Sequence, residues 1–546
     1  MNSIKARNTS SPLPVIALVA CPYDFDDYIS RQDIAVDDLG LGYLYEALTN
    51  RGYSVILIDS LRPKNPFIPL YLETEKAILA AAPNYVGFSD SSINFEFSLQ
   101  LSKRLKETIP GLTVIYGDMH ASIYREEILK EEPHIDFIIC GDGDRSLPRL
   151  IEALEEKSEY SDIPGLTYRD NGEIKANPPD LSVDFDTLPF PYRPSLKDPE
   201  QNKNLFFNLI TSKGCNGHCT YCSISSYLTK YCTGKGERWR SRSVQNIVSE
   251  IKFLYNKGVR NFFFFDDNLI GNPEIGIKRL TDLCDSIIEQ RLKDVSFSAA
   301  IRPDSLLITD EGIILKMKQS GFHMLSIGME ASNEKQLRLY GKQYSVEAAR
   351  KMVAMLFKHN IMVRIGYIMF FPYSTFEMLK LNADFLADTG LAFMFPSYFS
   401  KLFPIATIPL EKKLKEDNLV RRDTTYRKPG IYSFQDSRIG KLQKFMENAM
   451  SRQHKNIYSI LKNGFVISKN DSPKNEPFRS LYFDSLDHIA EASASLFDMA
   501  LTYFKSVPEQ EIRHVELDSY KEEWQEIIKE QVWVQEDLLV QMQKRD

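Results

Sequence analysis

Short apolar runs alternate along the chain with longer stretches whose apolar positions recur at helical spacing, and the alternation occurs twice. In the first block, strands are expected at Val15–Ala20, Tyr53–Asp59, Tyr85–Ser89, Leu112–Gly117 and Asp136–Cys140. Helices are expected at Gly40–Arg51, Thr74–Ala82, Glu96–Thr108 and Tyr124–Lys130. Strands apolar on both faces, separated by amphipathic helices, predict a parallel sheet covered on both sides. A run at Pro164–Arg169 followed by Asp170-Asn171-Gly172 predicts a hairpin that closes this block.

The second block begins at Leu205. Strands are expected at Leu205–Thr211, Asn261–Asp266, Val295–Ala300, Met324–Gly328, Met362–Met369 and Ala392–Tyr398. Helices are expected at Val244–Lys257, Pro273–Gln290, Asp310–Gln319, Val346–His359 and Ser374–Thr389. Six βα units predict a partial βα barrel, whose strand ends all face one site. Between the blocks, a stretch rich in Pro and Asp reads as extended linker. After about Glu411 the pattern turns charged and helical, with helices at Gly440–Lys455, His488–Val507 and Tyr520–Gln541. The fold class is therefore α/β with a mostly helical C-terminal region. The domain expectation is 1–175, a linker 176–204, a partial barrel 205–412 and a helical region 413–546.

Composition narrows the function. The chain has 546 residues, enough for several domains, and 43% hydrophobic content, enough to bury a core in each. A net charge of −7 argues against a nucleic-acid-binding surface. Seven cysteines, an odd number without disulfide-framework spacing, point to a reducing, cytoplasmic setting. No apolar run reaches the roughly 18 residues that span a bilayer. Lys5 and Arg7 ahead of Leu13–Cys21 have the form of a short lipoprotein signal, but the α/β alternation that follows needs Val15–Ala20 as its first strand.

The chemistry concentrates at Lys213-Gly214-Cys215-Asn216-Gly217-His218-Cys219-Thr220-Tyr221-Cys222, directly after the first strand of the second block. Cys215, Cys219 and Cys222 stand at C-x3-C-x2-C spacing. Three thiolates are one fewer than a closed site needs, a trait shared by iron–sulfur clusters and catalytic metals with an open position. A structural zinc site would take Cys232 or His218 as fourth ligand. Cys232 is too far downstream for a C-x2-C pair, and His218 adjoins Cys219. Cys21, Cys140 and Cys284 sit in apolar contexts and read as inert buried thiols, and Phe262–Phe265 as barrel packing. In the first block the loops Ser89-Asp90-Ser91-Ser92, Gly117-Asp118-Met119-His120 and Gly141-Asp142-Gly143-Asp144 follow strands. Their small residues allow a ligand close to the backbone, or simply make turns.

The cysteine signature with an aromatic residue before its last member resembles that of the radical S-adenosylmethionine (SAM) enzymes. Supporting segments occur in order: Arg240-x-Arg242-Ser243 with Glu250, Asp266-Asp267-Asn268, Ala299-x-x-Arg302-Pro303-Asp304, Ile327-Gly328-Met329-Glu330-Ala331-Ser332 and Ile368-Met369-Phe370-Phe371-Pro372. The first block resembles the cobalamin-binding, Rossmann-like domain of one large radical SAM class, through Asp38–Leu44, Val86-Gly87-Phe88-Ser89, the Gly117 and Gly141 loops, and Leu188-Pro189-Phe190-Pro191 in the linker. The resemblance covers about residues 14–412. Two departures stand out. The D-x-H-x-x-G motif, whose histidine binds cobalt, is absent, and the glycine-rich loop after the fifth strand is replaced by Phe371-Pro372-Tyr373-Ser374-Thr375.

The resemblance implies three cofactors: a [4Fe–4S] cluster on Cys215, Cys219 and Cys222, SAM on the open iron, and cobalamin. It implies SAM contacts from Tyr221, Arg302 and Glu330; the competing reading of Arg302 and Glu330 is a salt bridge in the barrel mouth. It implies corrin contacts from Ser89, Ser91, Gly117, Asp118, Gly141 and Gly143, with His120 a loop hydrogen-bonder. The activity implied is methyl transfer by way of methylcobalamin to an unactivated carbon or phosphorus of a small-molecule or peptide intermediate, fed by an electron donor such as flavodoxin or ferredoxin. The alternative is radical cyclisation or oxidation in natural-product or tetrapyrrole synthesis. Methylthiotransfer is disfavoured, because the first domain lacks the cysteines of a second cluster. No catalytic residue, substrate or role for the C-terminal region is legible.

Overall fold

The computed structural model describes residues 14–21, 34–35, 37–59, 70–92, 94–232, 238–306, 311–404, 408–469 and 475–543. Lys5, Arg7 and Leu13 of the leader-like segment lie outside these residues. In chain order the strands that build the site are β1 (Val15–Ala20), β2 (Ile34–Ala35), β3 (Ser54–Asp59), β4 (Tyr85–Ser89), β5 (Thr113–Gly117), β6 (Phe137–Ile139), β7 (Leu166–Asp170) and β8 (Glu173–Ala176). Then come β9 (Phe206–Leu209), β10 (Ser212–Gly214), β11 (Trp239–Ser241), β12 (Asn261–Phe264), β13 (Ser296–Ile301), β14 (Phe322–Glu330) and β15 (Met362–Tyr367).

The first sheet has the order β3-β1-β4-β5-β6-β7-β8. Its first five strands are parallel, and β7 and β8 add an antiparallel hairpin around Asn171-Gly172. The parallel part is doubly wound and reverses direction between β1 and β4, where such sheets open a ligand crevice beyond their carboxyl ends. Separate apolar cores fill its two faces. One helix, Gly143–Glu156, goes unrecognised in the sequence because Pro148 interrupts it. An interior proline costs about 3 kcal/mol. Burial of Leu147, Leu150 and Ile151 on one face offsets that cost.

The second sheet is all parallel, β15-β14-β13-β12-β9-β2. It is the expected six-stranded partial barrel, but its sixth strand lies at the opposite edge and comes from residues 34–35. The stretch expected as a last strand, Ala392–Tyr398, instead carries a 3-10 turn over Phe395–Tyr398. Pro396 has no N–H to donate to a ladder, and a buried apolar run does not by itself distinguish strand from other buried backbone. Among the described residues, a single bridge between Phe370 and Lys401 continues the barrel there.

The linker is folded onto both domains rather than running free. Tyr192 stacks on Tyr45 with ring centroids 4.1 Å apart. Arg193 and Arg242 clamp Glu250 at 2.7 and 2.5 Å, with all three side chains buried. The C-terminal helices Ser437–Met450, His454–Lys469, Glu476–Ser506 and Asp518–Gln543 share one continuous core with the barrel. Phe465 meets Phe206 at the start of β9, and Lys469 donates to the Asp294 carbonyl just before β13, so helix His454–Lys469 closes the amino-terminal end of the barrel. Among the described residues no helix is long and apolar enough to cross a membrane.

Candidate active site

The cysteine loop is carried by a small antiparallel hairpin, β10–β11, which the sequence does not announce. Three-residue strands are too short to hold themselves, and two carboxylates at the end of β12 supply the missing partners. Asp266 accepts the backbone N–H groups of Thr211 (2.6 Å) and Ser212 (3.0 Å), and Asp267 accepts that of Gly214 (2.8 Å). Gly214 has φ +86°, and a Cβ there would lie 2.0 Å from the Arg238 carbonyl oxygen, so only glycine fits immediately before Cys215. Thr220 pins the far side of the loop, its hydroxyl donating to the Leu339 carbonyl and its N–H to that of Tyr340. Cys222 then caps helix Ser223–Tyr231.

Around the sulfurs, the Gly217 N–H donates to Cys215 Sγ (3.3 Å) and Arg302 Nη1 lies 3.1 Å from Cys219 Sγ. A Cβ at Gly217 would collide with the Arg302 guanidinium. Burial pushes the Cys215 thiol up and that of Cys222 to about 11. Among the described residues, no three His, Cys, Asp or Glu side chains converge to hold a single ion. Cys232 stands at the far end of helix Ser223–Tyr231 from Cys222. Three thiols on one loop, with Cys232 a helix length away, are one ligand short of a closed site, as in a cluster with an open iron.

Tyr221 and Glu330 lie together beside this loop. Burial, and then Glu330, pushes the Tyr221 phenol well up. Lys342 is 3.7 Å from Glu330 and donates to the Gly328 carbonyl. Glu330 has φ +67° at the end of β14, where a β region is expected. Strain of this kind in a non-glycine residue costs about 1–3 kcal/mol and concentrates at functional sites. Arg302 pairs with Asp304 at 2.5 Å, the barrel-mouth ion pair weighed against a ligand role, and touches the Cys219 thiol as well.

A cavity of about 1490 Å³ lies between the first domain, the barrel and the C-terminal helices. Ser89, Ser91, Gly117, Asp118, Gly141 and Gly143 all border it from the first domain. Gly214 and Ile224 border it from either side of the cysteine loop, whereas Cys215, Cys219, Cys222, Tyr221, Arg302 and Glu330 are not among its lining residues. The cavity exceeds the ~300–1,000 Å³ of ordinary small-molecule pockets. Its small-residue wall at the switch point of the sheet fits a corrin. Asp118 has φ +74°, and its enclosed position pushes the carboxyl up to about 6.

Sequence reading misses one of the contacts that join the two halves. Asp142, inside the Gly141–Asp144 loop, accepts from Lys213 at 3.0 Å and from Arg240 at 2.8 Å, one residue from each strand of the hairpin. Burial disfavours its charge, yet the two cations hold its carboxyl below the usual range. The acid was visible among the glycines, but its partners lie in the other domain, beyond the reach of any local pattern.

No histidine or cysteine lines the cavity among the described residues. His120 instead bonds Ser92 Oγ through Nδ1 (2.8 Å) and the Tyr426 carbonyl through Nε2 (2.8 Å). Tyr426 itself packs in the first domain's core. Burial lowers the His120 pKa from 6.5 to about 4. The unfolded chain therefore takes up a proton between these values and the folded chain does not. Stability contributed by neutral His120 is complete above pH 6.5 and declines by roughly 3 kcal/mol as pH falls toward 4. Denaturation midpoints of a His120→Gln protein are expected to be flatter than wild type across that window; parallel curves would contradict the assignment.

A family profile described as the radical SAM superfamily matches residues 209–386, and one described as a B12 binding domain matches residues 34–151. An uncharacterized methyltransferase of Pyrococcus horikoshii is 27% identical over 64% of this chain and 72% of its own length. An anaerobic magnesium-protoporphyrin IX monomethyl ester cyclase of Synechocystis is 26% identical over 59% of this chain and 62% of its own. Among solved structures, OxsB, a cobalamin-dependent SAM radical enzyme with aqua-cobalamin and SAM bound, superposes with TM-score 0.69 at 18% identity, covering 97% of this chain and 81% of that one. The radical SAM methyltransferase TsrM of Kitasatospora setae gives 0.54 at 16% identity, over 69% and 70%.

Proposed function

Because this chain belongs to the cobalamin-dependent radical SAM enzymes, whose cofactors are a [4Fe–4S] cluster, SAM and cobalamin, we propose that it is a methyltransferase acting on an unactivated carbon or phosphorus of a small-molecule or peptide intermediate. The observation that carries the reading is the cavity bordered both by the loops after β4, β5 and β6 and by Gly214 and Ile224, which flank the cysteine loop. When bound, the cluster and SAM supply a 5′-deoxyadenosyl radical and the corrin supplies a methyl group. Cys215, Cys219 and Cys222 would hold the cluster and leave its open iron to SAM. Tyr221 and Glu330 orient SAM from the ends of the loop and β14. Arg302 places its positive charge against the Cys219 sulfur and offsets the charge gathered there. Ser89, Ser91, Gly117, Asp118, Gly141 and Gly143 bring backbone and small side chains against the corrin. The C-terminal helices, which contribute Tyr458, Asn463 and Glu536 to the cavity wall, exclude water and shape the substrate end. A flavodoxin or ferredoxin delivers the electron.

The second reading, radical cyclisation or oxidation without methyl transfer, is favoured by the cyclase relative. Product mass separates the two. Anaerobic enzyme is incubated with reductant, methyl-deuterated SAM and a small-molecule extract. S-adenosylhomocysteine and 5′-deoxyadenosine are expected in near-equal yield, with the label in a product one methyl heavier. Deoxyadenosine formation with no label transfer would replace the methyltransferase reading with the second.

A further inference from the structure

We propose that Arg364, on the inner face of β15, binds an anionic group of the substrate, a phosphate or a carboxylate. This rests on the cavity being the active site. In β15 the side chains alternate: Val363 and Ile365 are buried in the core, while Arg364 lines the cavity. Other enclosed guanidiniums have partners: Arg193 and Arg242 have Glu250, Arg240 has Asp142 and Arg302 has Asp304, while Arg125 and Arg279 donate to backbone carbonyls. Among the described residues no acidic side chain pairs with Arg364, nor does any backbone carbonyl accept from it. A half-buried guanidinium without a counter-charge is costly unless a ligand supplies one.

The neighbouring strands carry hydroxyls that match such a ligand. Ser326 is paired in register with Arg364 on β14, so both side chains leave the sheet on the same face, and its buried Oγ has no hydrogen-bond partner. Ser298 on β13 lines the cavity, is fully buried, and also leaves Oγ without a partner. Arg364 offers the cavity a fork of N–H donors, and the unpartnered hydroxyls of Ser326, level with it but not among the lining residues, and of Ser298, two residues earlier in register, lie on the same face of the sheet. Arg364 stands two residues before Gly366, whose Cα environment is filled by the Glu330 carboxylate. The anion is thereby placed deeper in the barrel than Glu330, in the direction of the C-terminal helices. Apolar Phe263, Phe265 and Met324 line the same space and would enclose the uncharged part of the substrate.

The test uses full-length protein reconstituted with cluster and cobalamin, saturated with SAM. Binding of radiolabelled pyrophosphate and succinate is measured by equilibrium dialysis, and SAM binding separately. Wild type is expected to bind at least one anion; Arg364→Gln is expected to weaken it at least tenfold, and Arg364→Lys to retain part of it, with SAM affinity unchanged in both. Equal anion binding by wild type and Arg364→Gln, or by neither, overturns the proposal. A parallel fall in SAM affinity also overturns it, because the guanidinium would then serve SAM's own carboxylate. Cluster and cobalamin absorbance report on folding in each variant. If wild type fails to load either cofactor, the active-site reading fails instead, independently of the anion result.

Discussion

A Cys219→Ala protein is expected to bind hydroxocobalamin as wild type does and to form no 5′-deoxyadenosine above a no-enzyme control. Cys219 is the middle sulfur of the loop, 5% exposed, and the one against which Arg302 lies. Its removal leaves two sulfurs on a loop that Asp266, Asp267 and Thr220 keep in place, so the loop has no freedom to recruit another ligand. Loss of an outer partner of a metal ligand costs about 10–100-fold, and loss of a ligand itself should exceed that. The loops after β4, β5 and β6 belong to another sheet and are untouched. Iron and sulfide content, visible spectra and chromatographic assay of deoxyadenosine measure the two halves separately. A Cys284→Ala protein, altered at a buried thiol in the helix after β12, should keep full cleavage. SAM cleavage retained in Cys219→Ala would refute the cluster assignment.

The second large effect is expected at Asp142. Asp142→Ala strands Lys213 and Arg240 without their shared counter-charge. Removing one partner of a buried ion pair costs about 3–5 kcal/mol; Lys213 is one-third exposed, which reduces the cost here to about 2–3 kcal/mol. The functional consequence should be more selective than the loss of stability. Asp142 acts as a positioning residue, tying the loop after β6 to the hairpin that carries the cysteines. Without it the two cofactor sites remain intact but their relation is held less tightly, by contacts such as Tyr231 on the Ser122 carbonyl. Deoxyadenosine formation should persist, while labelled product per deoxyadenosine falls about tenfold, the equivalent of ~1.4 kcal/mol. Asp142→Asn, which keeps the shape and part of the hydrogen bonding, should lie between. An unchanged ratio in the alanine variant, with lowered stability, would reduce the bridge to a purely structural role.

These expectations draw on sequence and structure unequally. The cysteine spacing, the two βα alternations and the resemblance carried by strand-end segments were all legible, because each is written in local order along the chain. Val15–Ala20, Tyr85–Ser89 and the helices from Val244, Pro273 and Val346 form where periodicity places them. The misreadings have specific causes. Pro148 concealed a helix that burial of one apolar face stabilises anyway. Ala392–Tyr398 was apolar enough for a strand, but Pro396 broke its ladder. The linker read as extended from its prolines, yet Arg193 anchors it through Glu250. The β10–β11 hairpin was illegible because its strands owe their backbone partners to Asp266 and Asp267, some fifty residues downstream.

The sequence by itself therefore determined which chemistry the loop at Cys215 supports, since thiol spacing and the strand before it are local facts. It also determined that two α/β units flank that chemistry. Only the tertiary structure decided what the loop faces. It brought Ser89, Gly117 and Gly141 to the same cavity as Gly214, left His120 satisfied by Ser92 and Tyr426, and left Arg364 inside the barrel with no acid paired to it among the described residues. The physical reason is range. Hydrophobic periodicity and turn chemistry act over a few residues, whereas the pairing or isolation of a charge depends on which distant strands share a wall.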